Sequence, residues 1–109
     1  MRIVTLAERK AKEADRRRRA VADLRGVLAD YARREGGRFL LFGSAARGTM
    51  RYDSDVDILV DFPDERERAA WRFAEQACWD RDLDVDIMPY GWCKPDFLAH
   101  VAPDLQVLG

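Results

Sequence analysis

Phe39-Leu40-Leu41-Phe42-Gly43-Ser44-Ala45-Ala46-Arg47-Gly48, with Asp53-Ser54-Asp55-Val56-Asp57-Ile58-Leu59-Val60 close behind, decides the fold of this chain. Phe39–Phe42 is a short, wholly apolar run after Gly36-Gly37 and reads as a buried strand. Gly43 permits a tight turn and close approach of backbone to a ligand. Ser44 is expected to cap a short helical turn starting at Ala45, whose free N–H groups make an anion site. Its hydroxyl and these amides suit a triphosphate. The plain alternative is a strand-turn-helix with a capping serine.

With ten residues between them and Ser44, Asp55 and Asp57 open a second apolar run. They alternate with Val56 and should fall on one face of a strand. Asp is a poor strand former. Two carboxylates side by side also repel unless a cation sits between them. Hard divalent ions such as Mg²⁺ take oxygen ligands, often one or two carboxylates plus substrate phosphates. Two such ions, roughly 3.5–4 Å apart, can activate an attacking oxygen and stabilise a leaving one. The alternative is an acidic, solvated edge strand.

Gly-Ser, ten residues, Asp-x-Asp resembles the signature of the polymerase-beta-like nucleotidyltransferase superfamily. The fuller strings Phe42–Gly48 and Asp53–Val60 look like its small bacterial and archaeal branch, the minimal nucleotidyltransferases. These are often the antitoxin partner of a HEPN-type toxin. The likeness extends more loosely to the C-terminus and does not cover the N-terminal helix in detail.

That resemblance implies a third carboxylate on a neighbouring strand, before two apolar residues. Asp86, followed by Ile87-Met88, fits; Asp84 is the fallback. Both sit in Leu83–Met88, where Leu83, Val85 and Ile87 share the opposite face. In family terms Asp55, Asp57 and Asp86 bind metal and form the catalytic set, with Asp86 also activating the acceptor hydroxyl. Gly43 and Ser44 hold the β- and γ-phosphates. Arg47 either reaches the phosphates or is an exposed structural arginine. The implied cofactors are Mg²⁺, as two ions, with ATP as substrate.

The 109 residues suffice for one domain with a modest core, here expected over 1–109. No run approaches a membrane span, and the N-terminus lacks a signal peptide's apolar core. Cys78 and Cys93 form neither a metal motif nor a disulfide framework, which suggests a reducing cytoplasm. His100 reads as packing or surface. Net charge is −1, but residues 1–38 hold 12 basic and 6 acidic side chains, and residues 39–109 hold 7 and 14. Such asymmetry points to a charged protein or nucleic-acid partner.

Thr5-Leu6-Ala7-Glu8 is a capping-box pattern. Val21, Leu24, Leu28 and Tyr31 recur at helical spacing and should face the core. Ala7, Ala11, Ala14 and Arg18 continue that stripe upstream. A helix over 5–34 is about 45 Å long, against a radius of gyration near 13 Å for a compact domain of about 100 residues. It must therefore overhang the body or break. Arg16–Arg19 wraps around it, as a solvated charged face or an element for an acidic partner. Asp64 should cap a second helix, with Ala70, Phe73, Ala74 and Ala77 inward. Pro89–Trp92 reads as a loop whose aromatics pack or stack on a base. Pro95 suits a short helix through Val101. Leu105–Leu108 can form a last strand.

The expected fold is α/β (α+β), the nucleotidyltransferase fold. A small mixed sheet of 3–4 strands carries helices mainly on one face, behind a charged N-terminal helix (1–35) and ahead of a catalytic core (38–109). The leading expectation is an enzyme, an ATP- and Mg²⁺-dependent nucleotidyltransferase. By resemblance its acceptor is a tyrosine hydroxyl on a cognate HEPN toxin, adenylylated and silenced in the cytoplasm. Larger relatives carry an acceptor-gripping domain for which this chain has no room, so the partner is expected to bring the acceptor to the cleft. Two other readings stand beside it: a non-catalytic antitoxin acting by contact, and transfer to a small molecule of the aminoglycoside type, which needs a homodimer. The basic helix leaves contact with RNA or a second copy open.

Overall fold

The computed structural model describes residues 3–109; Met1 and Arg2, the first two positions of the expected 1–35 segment, lie outside the described residues. Thr5 caps helix α1 (Leu6–Glu35), its side-chain oxygen accepting from the Glu8 N–H at 3.1 Å. Gly36 ends the helix in the left-handed conformation, φ 76°, donating its N–H to the Ala32 carbonyl. The helix runs unbroken through Gly26 and overhangs the body, giving extents of 55 × 29 × 17 Å and a radius of gyration of 15.1 Å. Val21, Leu24, Leu28 and Ala32 are buried, and Tyr31 is half-buried against them. Upstream the expected stripe holds only at Ala14; Ala7 and Ala11 are exposed because that part of α1 lies beyond the sheet.

Four strands form one mixed sheet: β1 (Arg38–Phe42), β2 (Val56–Asp61), β3 (Val85–Pro89) and β4 (Gln106–Leu108), in the order β3-β2-β1-β4. β1 is antiparallel to both neighbours, whereas β2 and β3 are parallel. A parallel pair needs a crossover, supplied by helix α3 (Asp64–Trp79). Alternation sends Phe39, Leu41, Val56, Ile58 and Val60 to the face covered by α1 and α3, where Ala70, Ala74, Ala77 and Cys78 let α3 approach closely. Tyr31 stacks on Phe73, centroids 4.0 Å apart, beside Phe39 and Phe62.

The other face holds Leu40, Phe42, Asp57 and Leu59 in register. Leu40 and Leu59 are buried there. Helix α4 (Pro95–Val101) reaches this side, the Phe97 ring meeting Phe42 edge-on at 5.6 Å. The fold is the expected nucleotidyltransferase-type mixed sheet with helices mainly on one face.

Several boundaries differ from expectation by a residue or two. The short helix α2 spans Gly43–Arg47 with Phe42 at its N-cap and no side-chain capping bond, so Ser44 lies inside the helix and does not cap it. Asp64 is the first residue of α3, and Pro63 is its cap. β2 begins at Val56 and β3 at Val85, so Asp55 and Asp84 stand just ahead of their strands. Pro89 closes β3, and Tyr90–Trp92 form one 3-10 turn. β4 takes only the last three of Leu105–Leu108.

Candidate active site

The parallel ladder sets Asp57 directly opposite Asp86. Neighbouring strands lie roughly 4.8 Å apart and register partners share a face. Both carboxylates therefore stand side by side on the face away from α1 and α3. Phe42, the last residue of β1, pairs with Asp57 on the other side, so α2 starts beside the carboxylate.

Gly43 adopts φ +71°, a left-handed conformation that side chains disfavour, and a β-carbon there would meet Asp57 Oδ2 at 2.5 Å. The glycine and the second aspartate of the signature are thus read against each other: Asp57 occupies the space a side chain at 43 would fill.

Burial pushes the Asp57 carboxyl up to about 6, and the negative charges of Asp86 and Asp55 push the same way, while Arg47 opposes them. Three of the expected acids thus share one electrostatic neighbourhood, centred on the half-buried Asp57. Asp55 and Asp86 are exposed.

Asp84 is held elsewhere. Its carboxylate accepts from Arg17 Nη1 at 3.1 Å, and its backbone carbonyl accepts from the Val56 N–H at 2.8 Å. Of the two candidates on the third strand, Asp86 is the one that faces Asp57. Arg47 is an exposed arginine paired with Asp104 at 3.1 Å, close enough to temper the Asp57 charge. Trp92 is exposed on the turn after β3, and Tyr90 lies under the Arg38 guanidinium, 5.1 Å from its ring centroid.

The donors are all carboxylate oxygens, the set a hard divalent ion selects. The Asp57 carboxyl is raised first by burial and then by the charges of Asp86 and Asp55, and a cation between these carboxylates would relieve the second contribution. Among the described residues no three Asp, Glu, His or Cys side chains form a ready-made metal cage. A Mg²⁺ ion does not need one, because substrate phosphates and waters complete its shell. The residues fit such an ion.

A family model described as nucleotidyltransferase domain matches residues 21–98. The chain belongs to the nucleotidyltransferase domain family. The nucleotidyltransferase match takes in Gly43, Ser44, Arg47, Asp55, Asp57, Asp84 and Asp86, and leaves Arg16–Arg19 and β4 outside. No curated protein and no solved structure matches the chain.

What sequence reasoning missed in this nucleotidyltransferase domain is the work of the arginine run. Arg16 donates to the Arg81 and Asp82 carbonyls, Arg17 to the Ser54 carbonyl, and Arg18 to the Met50 carbonyl. Arg18 and Arg19 are exposed and both pair with Asp15, so the solvated face that the run suggested holds at its end, although Arg18 also keeps its bond inward. A signal was present: Arg18 continues the helical spacing of Val21, Leu24 and Leu28, which turns it towards the body of the domain.

Proposed function

We propose that this domain uses ATP and Mg²⁺ to transfer AMP to a hydroxyl of a partner protein, a tyrosine of a cognate HEPN-type toxin, and so acts as its antitoxin. The observation that carries the chemistry is the Asp57–Asp86 register pair, with Asp57 seated against Gly43 at the start of α2. The protein acceptor rests on the resemblance of Phe42–Gly48 and Asp53–Val60 to minimal nucleotidyltransferases.

Asp55, Asp57 and Asp86 would hold the divalent ions, which when bound neutralise phosphate charge and polarise the α-phosphorus. Gly43 and Ser44 would receive the β- and γ-phosphates at the turn, with Arg47 alongside. The acceptor oxygen bonds to the α-phosphorus, the bond to the β-phosphate oxygen breaks, and pyrophosphate leaves. Asp86, exposed at the cleft, takes the hydroxyl proton. Catalysis on this account is positioning and charge neutralisation.

A second reading is toxin neutralisation by contact alone, in which the exposed Asp55 and Asp86 would serve no chemistry. One experiment separates them. The chain is incubated with α-labelled ATP, Mg²⁺ and a candidate HEPN-type partner protein. Label on the partner's tyrosine, lost in Asp57→Asn, supports transfer. A tight complex without label supports the contact reading and sinks the enzymatic one.

A further inference from the structure

The segment that carries the signature, from Gly43 to Asp55, is pegged to α1 by three arginines. Arg25 Nη2 donates to the Ala45 carbonyl at 2.8 Å, Arg18 Nη1 to the Met50 carbonyl at 3.0 Å, and Arg17 Nη1 to the Ser54 carbonyl at 2.7 Å. Arg17 goes further. The same nitrogen reaches the Asp84 carboxylate, so one guanidinium bridges the residue before Asp55 and the residue before Val85. Between these points the Val56 N–H meets the Asp84 carbonyl at 2.8 Å, the first rung of the β2–β3 ladder. Two residues into that ladder stand Asp57 and Asp86.

Arg17 is well enclosed, its side chain 13% exposed, and Glu13 fixes its Nε from one turn back at 3.3 Å. A planar fork held at both ends is rigid in a way that a lysine at this position is not. It lies outside residues 21–98, so the family match does not account for it.

We propose that Arg17 is a positioning residue for the nucleotidyl-transfer site: it locks the starts of β2 and β3 together and thereby sets Asp55 and Asp57 beside Asp86. The inference rests on the nucleotidyl-transfer reading above. It makes α1 part of the apparatus that holds the reacting groups. Arg17 touches no substrate; it acts through the Ser54 carbonyl and Asp84.

The test compares Arg17→Ala and Arg17→Lys with Arg19→Ala, a surface control, in the full chain with its partner. Hydrogen exchange at the Val56 amide is read by NMR, and kcat and KM for ATP by label transfer. Loosening the two strand starts is expected to speed Val56 exchange about tenfold in Arg17→Ala. Misplacement of the carboxylates is expected to lower kcat about 10- to 100-fold with KM for ATP changed far less. Arg17→Lys keeps the charge without the fork and should recover part of both. The proposal is overturned if Arg17→Ala matches Arg19→Ala in both readouts. It is equally overturned if Arg17→Ala only lowers the melting temperature, with kcat per folded molecule intact. Should the wild-type chain transfer no label, the transfer reading falls, and Val56 exchange alone decides whether Arg17 holds the strand starts.

Discussion

Under the proposed function, Asp57 is the residue on which chemistry and its cost to the fold meet. Its carboxyl is pushed from the ordinary 3.8 up to about 6 by burial, then by Asp86 and Asp55. The sign of the stability effect follows. A folded-state value above the unfolded one means that the folded chain holds the proton more tightly. Folding is therefore favoured most below pH 3.8, and that advantage is lost as pH rises through about 6. Asp57→Asn removes the charge and the titration together. In buffer with chelator, the variant should be more stable than wild type above pH 6, with the difference shrinking towards pH 3.8. Urea unfolding across that range checks it; a constant difference would mean the carboxyl is not raised by its surroundings. The same substitution should abolish label transfer, so one change gains stability where it loses chemistry. Asp55 and Asp57 were legible from their spacing in the sequence, whereas Asp86 came from the resemblance with Asp84 left as its alternative, and it is the β2–β3 register that sets Asp86 opposite Asp57. The pairing of Gly43 with Asp57 was not legible, because that contact spans two elements and is set by β1–β2 register.

At the scale of elements, the apolar stripes of α1 and α3, the Phe39–Phe42 run and the Pro95 helix were read correctly, because each is fixed by short-range periodicity or a proline. Boundaries at Ser44 and Asp64 were not, because both are good capping residues lying where the backbone is already helical. At Ser44 the turn is started one residue earlier by the left-handed Gly43. The capping box at Thr5 was legible and is formed. Its consequence is local. Residues from Leu6 to Lys12 are exposed, so the first turns of α1 add little to the core. Thr5→Ala should weaken those turns by about 1 kcal/mol and speed amide exchange there. The global unfolding midpoint should stay unchanged. A matching fall in that midpoint would show that the helix end is coupled to the sheet. Lys10, over the Tyr52 ring at 4.7 Å, is a contact through which such coupling would run.

For the whole molecule, the charge split between the first 38 residues and the rest suggested an external partner. Part of it has an internal answer. Arg17 and Arg38 from the basic end pair with Asp84 and Asp61 of the acidic end, and Arg16 and Arg18 donate to backbone carbonyls there. A composition count cannot distinguish a charge awaiting a partner from one already folded onto the chain, because that depends on which face of α1 meets the sheet. Among the described residues no helix is long and apolar enough to cross a membrane. Overhang was one of the two outcomes that helix length allowed, and it is the one found, the helix continuing through Gly26 without a break.

The sheet has two margins, and each discourages the arrival of a foreign strand. On one side β4 is only three residues long. On the other, β3 terminates in a proline, which offers no N–H, and it bears Asp86 near its middle. Short borders, prolines and charges are the devices by which sheets avoid growing sideways into aggregates. Asp86, proposed above to serve the transfer, is therefore also placed to guard this border. Replacing it with valine should raise the tendency to self-associate, visible as concentration-dependent light scattering, whereas asparagine should do so less. Any assay that neutralises this position to stop the chemistry also unguards a border, and a drop in soluble protein could be mistaken for a drop in turnover.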